Sequence, residues 1–193
     1  MEKSSPKGWY SRGYLPHFDG GETLQFVTFR LFDSLPKSVL EGWILEFERN
    51  KTEDYDVELR KRIEKFLDQG YGSCFLKNDE VAFIVEDTLL FHDKEKYNLI
   101  AWVVMPNHVH FLARSLEDFG WSEIMHSIKS YTSKKANKIL QRTGRFWQVE
   151  SFDRYIRNYE HFTKTIDYIE NNPVKAGLCA KKSDWRFSSA FPR

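Results

Sequence analysis

The chain has 193 residues, is 41% hydrophobic and 16% aromatic, and carries a formal net charge of +1; this fits one globular domain with a real core and excludes a disordered or fibrous chain. No apolar run approaches the roughly 18 residues of a bilayer-spanning helix, and Met1 to Lys7 lacks a signal-peptide core, so a cytoplasmic protein with no membrane partner is expected. Two distant cysteines, Cys74 and Cys179, without CxxC spacing read as reduced thiols.

The near-neutral total hides an asymmetry. Residues 121–193 hold 14 Lys and Arg against 7 Asp and Glu, whereas residues 1–120 hold 15 against 21. A basic C-terminal part beside an acidic N-terminal part points to a polyanion engaged on one side.

In chain order, residues 1–22 are rich in Gly, Ser, Pro and Tyr and read as a flexible arm whose aromatics and Arg12 are placed to stack on bases or to pack across the domain. Thr23 to Phe32 reads as a strand, and Ser34 as the N-cap of a helix over 36–49. A polar break over 50–56 precedes a helix over 56–69 burying Val57, Leu59, Ile63, Phe66 and Leu67, which stops at Gly70 and Gly72. A helix over 78–92, capped by Asn78 or Asp79, completes an acidic helical insertion, 36–92, in which no chemistry is evident. Paired strands follow over 97–105 and 108–114, then a basic helix from an N-cap at Ser122 to Leu140. A final strand is expected over 145–148 and 152–157, and a last helix over 159–171, stopped by Pro173. This order predicts an α+β domain of ferredoxin-like β-α-β-β-α-β type, an antiparallel sheet in a single domain over 1–193 with extra N-terminal helices and a C-terminal catalytic helix.

The chemistry gathers in the strand pair. Side chains alternate faces along a strand, so His108 and His110 share one face and can grip one cation. On the last helix Tyr168 and Asn172 are four apart and share a face. If that face meets the histidines, Asn172 offers an amide oxygen and Tyr168 a phenol beside the ion. Two imidazoles, an amide oxygen and no thiolate suit Mg²⁺ or Mn²⁺ holding a phosphodiester better than structural zinc. Tyr155 and Tyr159 are rival nucleophiles, spaced like those of a two-tyrosine replication nuclease, and His126 and His161 are rival ligands.

Four ordered segments, Ala101–His110, Gly144–Gln148, Phe152–Asn158 and Asp167–Leu178, together resemble the REP-associated tyrosine transposases, single-tyrosine members of the HUH endonuclease group. The resemblance runs over nearly the whole chain. It implies a metal-dependent enzyme, acting as a monomer, that cuts and rejoins single-stranded DNA beside hairpins of repetitive palindromes through a covalent phosphotyrosine. Tyr168 matches the nucleophile, His108 and His110 the His pair, and Asn172 the third ligand. DNA contacts are expected from Lys129, Lys134, Lys135, Arg145, Arg154 and Arg157 to phosphates, with Trp147 stacked on an unpaired base. The alternative is a catalytically silent protein of the same fold that binds structured DNA or RNA as a regulator.

Overall fold

The computed structural model describes residues 8–11, 16–19, 22–50, 54–117 and 119–193. Its centre is a four-stranded antiparallel sheet of β3 (Leu24–Arg30), β4 (Tyr97–Val104), β5 (His108–Ser115) and β6 (Phe152–Tyr155), ordered β4-β5-β3-β6. This is the ferredoxin-like order, reached because the first and third strands of the domain pair at the centre. Within the expected arm, β1 (Gly8–Ser11) and β2 (Pro16–Asp19) pair with each other; Arg12 and the rest of the arm, Glu22 apart, lie outside the described residues.

Alternation along the strands sorts the core into two layers. Val27, Phe29, Val109, Phe111 and Ala113 face α3 (Asp79–Phe91) and α4 (Trp121–Ile139) in the larger cluster. Phe26, Ala101, Val103 and Leu112 face α5 (Tyr159–Lys175), which contributes Ile169. Each large side chain sealed in these layers contributes about 1.5–3 kcal/mol. Two further helices, α1 (Lys37–Asn50) and α2 (Tyr55–Asp68), have a small core of their own around Leu35, Leu40, Phe47 and Leu59, with Phe152 of β6 packed against it.

Several local expectations are corrected. Ser34 donates to the Leu31 carbonyl at 2.8 Å and lies ahead of α1, whose first turn follows Pro36. Asn78 does cap α3, accepting from the Val81 N–H at 3.1 Å. Gly120, not Ser122, precedes α4, and it offers no side-chain cap. Residues 145–148 form no strand: Trp147 makes an isolated bridge to Leu31. Pro173 lies inside α5 rather than ending it, because the helix continues for less than a turn and the Leu178 N–H reaches back to the Pro173 carbonyl at 2.9 Å. Val57, expected inside, is 38% exposed. After α5 the chain returns along the outer edge of β4, where the Val104 N–H donates to Phe187 and the Ser189 N–H to Trp102 at 2.8 and 2.9 Å.

Candidate active site

The register of β3 against β5 sets Thr28 opposite His110 and Arg30 opposite His108, so all four point to the α5 face. The two imidazoles are fully buried, and their Nε2 atoms lie 3.0 Å apart. Each ring is fixed from behind. Asn107 uses its amide N–H groups on the carbonyls of Leu67 and Tyr71, at 3.1 and 3.0 Å, which leaves its Oδ1 to accept from His108 Nδ1 at 2.7 Å. His108 therefore carries its proton on Nδ1 and presents a bare lone pair on Nε2. His110 Nδ1 lies 2.7 Å from the Thr28 hydroxyl. A hydroxyl can donate or accept, so His110 can either hydrogen-bond His108 or turn its own lone pair inward.

Burial pushes His108 down to about 3, and burial together with the neighbouring imidazole pushes His110 well below its ordinary value. Both are neutral at pH 7, the form that coordinates a cation.

Helix α5 brings the other two groups. Asn158 caps it, accepting from the His161 N–H at 2.8 Å. The Tyr168 ring lies 5.4 Å from the His110 ring and 5.8 Å from that of Phe26, centroid to centroid. Asn172, one turn on, is fully buried, and neither its Oδ1 nor its Nδ2 closes a hydrogen bond. The Tyr168 hydroxyl is likewise enclosed, within electrostatic reach of Glu64 and Asn172 yet closing no hydrogen bond of good geometry. Buried polar atoms left unpaired cost about 1–3 kcal/mol each, and such orphans beside the His108 lone pair and the adjoining His110 ring fit the donor set of a divalent cation. Among the described residues no three His, Cys, Asp or Glu side chains converge as a metal site; beside the two imidazoles the further buried polar group is the Asn172 amide.

The acidic helical insertion, in which no chemistry was evident, contributes directly. Arg60 and Glu64 of α2 line a small cavity of about 30 Å³ with Thr28, Arg30 and Glu150. The Arg60 guanidinium lies 4.5 Å from the Phe152 ring centroid. Burial first, then Asp68, raises Glu64 to about 7 against the opposing pull of Arg60 and Arg154; burial raises Asp68 to about 6 against Lys175. The sequence does show Arg60, Glu64 and Asp68 in one row at helical spacing. It does not show which way that row turns.

The rivals are elsewhere. Tyr155 pairs with Gln25 on β3 and so points away from the His face, and Tyr159 is 78% exposed at the start of α5. His126 hydrogen-bonds Ser130 along α4, on the far layer, and His161 Nδ1 accepts from the Arg157 N–H.

The expected DNA contacts divide between the two faces. Lys129, Lys134 and Arg145 line a groove of about 960 Å³ between α4 and residues 144–151, on the side away from the histidines. Lys134 and Arg145 are exposed there, and Lys135 lies nearby with its ammonium 5.6 Å from the Tyr131 ring centroid. Lys129 instead ties down that segment, donating to the carbonyls of Gln148 and Val149 at 3.0 Å each. Trp147 is a correction: it is 4% exposed, donates to Thr132 at 2.8 Å and packs 4.7 Å from Phe29, so it is core and has no face for a base. Arg154 pairs opposite Phe26 and lies on the histidine face, while Arg157 is exposed beyond the end of β6.

A family model described as "Transposase IS200 like" matches residues 77–172. A REP-associated tyrosine transposase of Escherichia coli (strain K12) is 35% identical over 98 residues, 48% of this chain and 54% of that protein. A Haemophilus influenzae relative is 25% identical over 103 residues, 48% of this chain and 58% of the relative. The chain thus spans about half the length of the curated relatives it matches. A solved structure of a REP-associated tyrosine transposase bound to a REP hairpin shares the fold at a TM-score of 0.55 and 20% identity, over 93% of this chain and 81% of that one.

Proposed function

We propose, from its similarity to the REP-associated tyrosine transposases and to the IS200-like family model, that this chain cuts and rejoins single-stranded DNA beside a hairpin, with Tyr168 as the nucleophile. The observation that carries this reading is the Tyr168 ring packed 5.4 Å from His110, one turn from a buried Asn172 amide that closes no hydrogen bond of good geometry.

His108, His110 and Asn172 are the residues that would hold a divalent cation, Mg²⁺ or Mn²⁺, which when bound polarises a phosphoryl oxygen as a Lewis acid. Asn107 and Thr28 keep the imidazoles aimed. Phe26 and His110 clamp the tyrosine ring so that its hydroxyl has little freedom to lose on approach to phosphorus. Attack by the Tyr168 oxygen forms a phosphotyrosine and releases the displaced strand with a free hydroxyl; reversal reseals DNA without ATP. The groove on the α4 face, with Lys134 and Arg145 exposed, suits the hairpin backbone. Arg154 and Arg157 suit the unpaired strand as it rounds the β6 edge toward Tyr168. Among the described residues no helix is long and apolar enough to cross a membrane, and the reading is of a cytoplasmic monomer acting on hairpin DNA.

A labelled hairpin with single-stranded flanks, incubated with the protein and Mn²⁺ and then denatured, is expected to remain covalently attached. Tyr168→Phe is expected to abolish the adduct, while Tyr155→Phe and Tyr159→Phe form it. An adduct that survives Tyr168→Phe overturns the assignment. Hairpin binding by the wild type with no adduct leaves the regulator.

A further inference from the structure

We infer that Glu64 of α2 is the group that holds the Tyr168 hydroxyl hydrogen and receives it as the nucleophile attacks. The inference rests on Tyr168 being that nucleophile, and it concerns a helix outside residues 77–172, the part matched by the family model.

Packing places the helix. Arg60 covers the Phe152 ring, Phe152 meets Phe26 with ring centroids 6.2 Å apart, and Phe26 meets the edge of Tyr168. Glu64 is one turn from Arg60 on the same side of α2 and lines the same cavity. The hydroxyl it approaches is sealed from solvent and closes no hydrogen bond of good geometry. With the O–H shut off from bulk solvent in the free protein, a side chain beside it is the acceptor closest to hand.

Few neighbours qualify. Asn172 is an amide and takes no proton. The Nε2 atoms of His108 and His110 face one another. Asp68 is drawn toward Lys175, whose ammonium lies 4.9 Å from the Tyr168 ring centroid. Glu64 remains: its carboxyl comes within hydrogen-bonding reach of the hydroxyl and acts on it more strongly than Asp68 does. The charged groups facing Glu64 are Arg60 and Asp68 from its own helix and Arg154 from β6, with Arg30 and Glu150 in the shared cavity. Its carboxyl, raised by burial to about 7, is matched to proton transfer near neutral pH.

The step balances. The Tyr168 O–H bond breaks as its proton passes to Glu64, the O–P bond forms, and the bond from phosphorus to the displaced strand breaks, the departing oxygen taking a proton from water. Resealing returns the Glu64 proton to Tyr168.

The test is single-turnover adduct formation on the flanked hairpin with Mn²⁺, beside hairpin affinity measured without metal by anisotropy. Glu64→Gln keeps the shape and removes the acceptor. It is expected to slow the adduct by about 10²- to 10⁴-fold with hairpin affinity unchanged. The wild-type rate is expected to level off above about pH 7, and the residual Glu64→Gln rate to keep rising with hydroxide. A Glu64→Gln rate and pH profile like those of the wild type overturn the inference while leaving Tyr168 in place; an adduct in Tyr168→Phe removes the underlying reading instead. If Glu64→Gln does not fold, Glu64→Asp carries the test: a rate at least about 10-fold lower with retained affinity supports the inference, and an unchanged rate overturns it.

Discussion

Thr28 and Asn107 decide what His108 and His110 can do, although neither touches substrate in the proposed reaction. Each holds an Nδ1 in place, and Asn107 also fixes the lone pair that His108 presents. Removal of such a partner typically costs 10- to 100-fold in metal affinity. Thr28→Val is therefore expected to weaken Mn²⁺ binding by about 10- to 100-fold in calorimetric titration, with only a modest fall in melting temperature; unchanged affinity would show that the hydroxyl is incidental. The shared face of His108 and His110 was legible in the sequence because strand parity needs no knowledge of neighbours. Thr28 was not, since its role depends on the β3–β5 register. Trp147 misled for the converse reason: flanked by Arg145 and polar residues it looks like a surface aromatic, and only the approach of Phe29 and Thr132 makes it core.

Helix α2 carries a conflict between stability and chemistry. Glu64 has a folded pKa of about 7 against an ordinary 4.5, so the folded state holds its proton more tightly than the unfolded chain does. The stabilisation is full below about 4.5 and is lost as pH rises to about 7. The buried histidines act with the opposite sign: their folded values are depressed, so the stability they support is present above about 6.5 and is lost as pH falls toward 3. Glu64→Gln removes the first slope alone. Thermal melts should show this variant gaining on the wild type between pH 5 and pH 8, by up to about 3 kcal/mol; a constant difference across that range would mean that Glu64 is not desolvated. The amphipathic spacing of α2 was readable, and so was its length. Its docking was not, because Arg60 over Phe152 is a long-range cation–π contact with no local signature.

The molecule as a whole separates its cations onto two sides of one sheet. Lys134 and Arg145 lie in the α4 groove, Arg154 on the histidine face. If the groove takes the hairpin, Lys134→Glu with Arg145→Glu should lower hairpin affinity more than about 10-fold and make the salt dependence shallower by about two counter-ions. The melting temperature and Mn²⁺ affinity should not move. A hairpin affinity that survives both charge reversals, followed by salt titration, would place the duplex elsewhere. The basic C-terminal part was plain from composition, and the α+β order from the sequence of elements. Which cations share a side was hidden, because α4 and β6 are adjacent in the chain and face different layers.

The enclosure around the Tyr168 oxygen has a bearing on fidelity. An ester between that oxygen and a DNA end would sit behind the same walls, the rings of Phe26 and His110 and the turn of α2 that bears Glu64. Hydrolysis there would turn a reversible cut into a permanent break. A niche that keeps bulk water from the phenol also shelters the ester, and preserves the joined end until the strand returns.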